Sequence, residues 1–110
     1  CHLTAIENNP EVFKILLNNI NSVCKDEDVR LHRMDVKKFL KRNTQKFDII
    51  FADPPYGKFI FFDIRKSISN FLNVEGTFCM EMKKTNLLEF EDDVRIKKYG
   101  DTQVAFWNLN

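Results

Sequence analysis

The sequence predicts an α/β protein built on a doubly wound, mostly parallel sheet that ends in an antiparallel hairpin. Three observations carry that prediction. Short apolar runs with strand character alternate with stretches whose apolar residues recur at helical spacing, giving the order β-α-β-α-β-α-β. The run Phe47-Asp48-Ile49-Ile50-Phe51-Ala52 is nearly continuous in apolar residues, as strands covered on both faces of a parallel sheet are. Near the end of the chain, Val94 to Tyr99 and Thr102 to Trp107 are alternating runs joined by Gly100-Asp101, the pattern of a hairpin. With 110 residues, 44% hydrophobic and 30% charged, the chain can bury one modest core rather than remain disordered. No repeat, low-complexity tract or Pro/Gly-rich linker divides it, so residues 1–110 are expected to form one domain.

The elements follow in order. His2 to Ile6 is too short for a helix before the Asn-Pro break and reads as a strand ending at Glu7. Asn9 is then an N-cap, with Pro10 at the first helical position, where its missing N–H costs nothing, and Glu11 near the positive end of the dipole. Phe13, Leu16, Leu17, Ile20 and Cys24 form the helix's inward stripe, leaving Lys14, Asn18 and Asn21 to water. Val29 to Met34 alternates with period two and reads as a strand stopped at Asp35. A short helix carrying Val36, Phe39 and Leu40 leads to the Phe47–Ala52 strand. Phe61, Ile64, Ile68, Phe71 and Leu72 give the next helix its stripe, and Gly76 to Glu81 forms another buried strand.

Composition narrows the function classes. No apolar run approaches the roughly 20 residues of a spanning helix, so no membrane span is expected. Seventeen basic against sixteen acidic residues leave a net charge of +1, which makes no global case for nucleic acid. Between Arg30 and Lys46 seven basic residues (Arg30, Arg33, Lys37, Lys38, Lys41, Arg42, Lys46) face one acid, Asp35; this is either a phosphate-touching surface or a solvated helix face. Cys1, Cys24 and Cys79 are odd in number and widely spaced, and with His2 and His32 they lack any ligand spacing. Neither a disulfide framework nor a metal site is expected, and a reducing, cytoplasmic setting is the simpler reading. The chain opens at Cys1 without a start Met or a secretory leader and reads as cut upstream.

Ligands of open α/β sheets bind outside the carboxyl ends of the strands, and Glu7, Asp35 and Asp53 sit at such ends. Asp53-Pro54-Pro55-Tyr56 is the most informative stretch. The prolines offer no N–H and hold the backbone extended, leaving the Asp53 carboxylate and the Pro54 carbonyl as converging acceptors. Two acceptors suit the exocyclic amine of a nucleobase, a poor nucleophile whose developing charge they stabilise. Tyr56 then stacks on a base taken out of its helix; the plain alternative is a Pro-rich turn with Tyr56 covering the sheet end. Glu7 reads either as an acceptor for a ribose diol or as a solvated strand-end carboxylate. Asp35 reads either as an acceptor for an adenine amine, with Val36 against the ring, or as a helix N-cap. Lys58, Lys83 and Lys84 follow strand ends on the presumed active edge and are the better phosphate candidates.

These residues resemble the S-adenosylmethionine-dependent methyltransferases of the RsmD type, which methylate a guanine exocyclic amine in bacterial 16S rRNA. The likeness covers nearly the whole chain and rests on Ala5-Ile6-Glu7-Asn8-Asn9-Pro10, Met34-Asp35, Phe47 to Tyr56 and Tyr99-Gly100-Asp101-Thr102. The Asp-Pro-Pro-Tyr element marks the wider class of amino-methyltransferases, adenine-specific enzymes included, and the Tyr-Gly-Asp-Thr hairpin narrows it. The resemblance implies a Rossmann-like class I methyltransferase sheet, truncated at the N-terminus, with S-adenosyl-L-methionine as cofactor and rRNA or the small ribosomal subunit as partner. It implies that the chain is the C-terminal portion of a catalytic domain. It assigns Glu7 to the cofactor ribose, Asp35 to its adenine, and Asp53 to Tyr56 to the target amine beside the sulfonium. The family's first strand and Gly-rich loop are not among these residues. In the implied sheet that strand lies between the strand ending at Glu7 and the one ending at Asp53. The expectation is that these two strands pair directly, borrow a strand from a partner chain, or belong to a longer protein, and that these 110 residues alone bind the cofactor poorly. Alternatives are an adenine-N6 methyltransferase acting on DNA or RNA, and a non-catalytic methyltransferase-like RNA-binding module.

Overall fold

A computed structural model describes residues 2–54, 60–86, 88 and 91–110. The described residues fall into two compact units, Cys1–Asn43 and Thr44–Asn110. In the first, strand β1 (His2–Glu7) pairs in parallel with β2 (Asp28–Arg33), with Glu7 opposite Arg33. The connection is helix α1 (Pro10–Val23), which starts where the Asn-Pro break predicts: the Asn9 side chain accepts from the N–H groups of Glu11 and Val12. Helix α2 (Val36–Arg42) follows, capped by Asp35. The apolar stripe of α1 is less covered than its periodicity predicts, since none of its residues is buried and Leu17 is exposed. Among the described residues of this unit only Phe39 of α2 is buried, with the His32 ring 5.2 Å from its own.

The second unit holds a four-stranded sheet in the order β3-β4-β6-β5. Strand β3 (Phe47–Ala52) runs parallel to β4 (Leu72–Lys83), while β6 (Thr102–Asn108) is antiparallel to both β4 and β5 (Val94–Tyr99). The C-terminal hairpin is therefore present, and Gly100 takes the left-handed φ of 57° that its tight turn needs. Helix α3 (Ile60–Ile68) covers one sheet face: Phe61 stacks on Phe78 at 5.5 Å, and Phe61, Phe78, Leu72 and Gln103 are the largest fully buried side chains among the described residues. The Arg65 guanidinium lies over Phe61, Phe62 and Trp107, and Asp93 joins this end to the sheet by accepting from Arg65 and from the Trp107 Nε1–H.

Two expectations are corrected. Phe71 and Leu72 do not extend α3. A 3-10 turn (Ser69–Phe71) ends the helix, and β4 starts at Leu72, four residues before the predicted strand. The register with β3 jumps there, from Phe47 opposite Leu72 to Ile49 opposite Thr77, so a bulge around Glu75 and Gly76 accounts for the extra length. Strand β3 is not covered on both faces: Ile49 is 69% and Phe51 62% exposed, because β3 is an edge strand and α3 lies on the other face. Of the three expected ways to complete the sheet between β1 and β3, direct pairing is removed, since among the described residues the two strands belong to separate sheets. No helix among the described residues is long and apolar enough to cross a membrane.

Candidate active site

Parallel pairing gives β1 and β2 a common carboxyl rim, and that rim carries Glu7 and, two residues beyond Arg33, Asp35. The turn from β1 into α1 is stitched by side chains. Glu7 Oε1 accepts from the Asn9 N–H at 2.9 Å, and Asn9 Oδ1 accepts from Glu11 and Val12 at 2.9 and 3.1 Å. Glu7 is half-buried, so its carboxylate is held at the rim rather than waving in solvent. Asp35 is exposed, and its Oδ1 accepts from the Lys37 N–H at 2.8 Å, which makes it the N-cap of α2. Capping uses one oxygen and leaves the residue at the rim. Val36, the first residue of α2, is 52% exposed beside it.

In the second unit Asp53 is the first residue past β3. It is exposed, not sunk in the apolar interior, and Pro54 next to it is half-buried. Because Ala52 is level with Met80 of parallel β4, Asp53 leaves the sheet at the rim that β4 reaches at Lys83. The opposite end of β3 is tied down by Asn73 Nδ2, which donates to Asp48 Oδ1 at 2.8 Å. Pro55, Tyr56 and Lys58 lie outside the described residues. The structure thus brings Glu7, Asp35 and Val36 to one rim of the first unit, and Asp53 and Pro54 to one rim of the second.

The chemistry open to these groups is acceptance of hydrogen bonds by carboxylates and carbonyls. A half-buried acid and an exposed one at the carboxyl ends of adjacent parallel strands suit the diol and amine of a nucleoside. A covalent route through Cys79 is disfavoured: burial pushes its thiol up, with Arg95 opposing in part, so at neutral pH it stays protonated and weakly nucleophilic. Gln103 was not singled out from the sequence. It is fully buried on β6, its Nε2 donating to Met82 Sδ and its Oε1 accepting from the Thr85 N–H, both at 3.3 Å. The available signal was a polar residue at an inward position of an alternating strand, two residues before buried Ala105.

A model of the family described as conserved hypothetical protein 95 matches residues 1–108. A tRNA1(Val) (adenine(37)-N6)-methyltransferase of Haemophilus influenzae is 36% identical over 56 residues, covering 51% of this chain and 24% of that protein. The chain therefore spans about a quarter of the length of such curated relatives. A solved structure from Escherichia coli described as a candidate methyltransferase superposes with a TM-score of 0.80 at 20% identity, over 99% of this chain and 63% of that one. Another, described as a candidate methyltransferase complexed with SAH, gives a TM-score of 0.75 at 14% identity, over 98% of this chain and 39% of its own. The fold is that of the class I methyltransferases.

Proposed function

Because the chain belongs to the family described as conserved hypothetical protein 95, we propose that it is part of an S-adenosylmethionine-dependent methyltransferase acting on a guanine exocyclic amine in bacterial 16S rRNA. The observation that carries the reading is Asp53, exposed at the carboxyl end of a parallel strand and followed at once by Pro54. The cofactor, when bound, supplies a methyl group activated by a sulfonium. Glu7 is the acceptor for its ribose and Asp35 for its adenine, with Val36 against the ring; half-buried and exposed carboxylates at one rim fit such polar donors. No glycine precedes Gly57, so the Gly-rich loop that the resemblance assigns to the methionine end is not among these residues.

Asp53 and the Pro54 carbonyl accept the two N–H bonds of the target amine, which favours a pyramidal nitrogen with a free lone pair. The bound cofactor would supply the methyl group to that nitrogen, which Asp53 and the Pro54 carbonyl would hold in place, and Asp53 would accept the proton that the methylated nitrogen loses. Tyr56 stacks on the extruded base. Proximity supplies much of the rate, and no covalent enzyme intermediate forms. The partner is rRNA or the small ribosomal subunit, met in the cytoplasm. The similarity to a tRNA adenine-N6 enzyme favours a second reading, in which the same pocket takes adenine.

Transfer of labelled methyl groups by the full-length protein to 16S rRNA, tRNA and duplex DNA, followed by nucleoside analysis, separates the two. N2-methylguanosine in 16S rRNA is expected; N6-methyladenosine in tRNA supports the second reading. Asp53→Ala in the full-length protein is expected to lower the rate by about 100-fold or more while cofactor binding persists. Unchanged rRNA modification in cells by that variant removes the catalytic role.

A further inference from the structure

We propose that the tip of the β5–β6 hairpin and the loop leaving β4 form a docking site for the phosphodiester strand flanking the target base, with Lys83 and Lys84 on phosphate oxygens and Tyr99 stacked on a neighbouring base. The inference rests on the nucleic-acid methylation reading and assigns residues that the reaction itself leaves unused. The pairing of Lys83 with Thr102 and of Thr102 with Tyr99 puts the three side chains in one row on one sheet face. The row spans two strand spacings, about 10 Å. Since Ala52 is level with Met80, Lys83 lies three residues, about 10 Å, past the point where β3 gives way to Asp53. A strand whose base reaches Asp53 therefore passes within reach of the row.

The site is built rather than a chance cluster. The Lys84 N–H donates to the Asp101 carbonyl at 2.9 Å, and the Thr85 N–H donates to the side chain of fully buried Gln103 at 3.3 Å. These bonds pin the loop to the hairpin, while Thr102 Oγ1 donates to the Tyr99 carbonyl at 3.1 Å and fixes the turn. The result is a concavity of about 460 Å³ lined by Lys83, Lys84, Thr85, Asn86 and Asp101. Among the described residues no ion pair engages Lys83 or Lys84. Tyr99 is 51% exposed, and Lys97 Nζ lies 5.5 Å from its ring centroid. Lys83, Lys84 and Lys97 against the Asp101 and Glu81 carboxylates, Glu81 sharing a cross-strand row with Lys97, leave the patch with one net positive charge, and lysines beside an exposed aromatic ring are what a single strand needs: point charges for phosphates and a π-face for a base.

The test is equilibrium binding of the full-length protein to a labelled single-stranded RNA, and to single-stranded and duplex DNA of the same sequence, over a salt series. Replacing Lys83 and Lys84 together by Ala is expected to lower the slope of log K against log salt by about 1.4 on the single strand, two contacts at about 0.7 each. Tyr99→Ala is expected to weaken binding about tenfold with little change of slope, whereas Tyr99→Phe keeps the affinity. Cofactor binding stays at the parent's level in all three variants, which separates this site from the one at Glu7 and Asp35. A slope change on DNA alone keeps the site and assigns the strand as DNA. An unchanged slope and affinity in the double variant, with cofactor binding intact, overturns the site and leaves the methyltransferase reading standing. A parent that binds no cofactor and methylates no RNA overturns the underlying reading and the site with it.

Discussion

Gly76 sits where β4 recovers from its bulge, and a Cβ there would come within 2.7 Å of the Asn73 carbonyl oxygen and 3.2 Å of that of Asp48. Both atoms are backbone, and the two residues are tied together by the Asn73 Nδ2 to Asp48 Oδ1 hydrogen bond, so neither yields cheaply. Just before it, Glu75 takes a φ of 66°, a conformation that costs a non-glycine residue about 1 kcal/mol. It is held there by its N–H donating to Leu109, while Leu109 donates back to Gly76. The pair turns the chain so that Phe78, Met80 and Met82 face α3. Gly76→Ala is therefore expected to lower unfolding free energy by about 1–3 kcal/mol, read as a shift in denaturant midpoint. Glu75→Gly, which relieves the left-handed backbone, is expected to cost nothing. An unchanged midpoint for Gly76→Ala would mean that the bulge relaxes around the methyl.

At the scale of elements, β3 is, among the described residues, the edge strand of its sheet, with Ile49 and Phe51 exposed on its uncovered face. Unpaired strand edges bearing apolar side chains recruit other strands. These 110 residues expressed alone are expected to self-associate with concentration, and Ile49→Lys with Phe51→Glu to suppress it in light scattering; a wild-type chain that stays monomeric overturns this. The same strand shows what the sequence carries and what it hides. A continuous apolar run reads alike whether both faces are covered or one edge is open, because coverage is set by neighbours and not by the run itself. Likewise Phe71 and Leu72 continue a helical spacing, and only the pairing of Leu72 with Phe47 reveals a strand. Where the signal is local chemistry it survives: Asn9-Pro10 starts α1, Gly100 turns the hairpin, and Asp53-Pro54 follows directly on β3. Asp35 was legible as either a cap or an adenine acceptor, and the structure shows the cap, with its Oδ1 accepting from the Lys37 N–H. Gln103 was legible only as a polar residue at an inward strand position, while its hold on the loop at Thr85, 18 residues earlier, was not.

Across the whole chain the two units are unequal in what holds each together. Cys1–Asn43 has a two-stranded sheet and, among its described residues, one buried side chain, Phe39; a lone two-stranded sheet is marginal in water. Thr44–Asn110 has four strands and a continuous buried set running from Phe61 through Phe78 to Ala105. Local opening free energy follows buried apolar contact, so in amide hydrogen exchange β1 and β2 are expected to exchange about tenfold or more faster than the centre of β4 and β6. The proposed ribose and adenine acceptors, Glu7 and Asp35, both belong to the less stable unit, and a ligand that binds only the folded state stabilises it by mass action. Adding S-adenosylhomocysteine to the full-length protein is therefore expected to slow exchange in β1 and at the start of α2 most strongly. Protection confined to β4 and β6, with β1 and β2 unchanged, would move the cofactor away from Glu7 and Asp35.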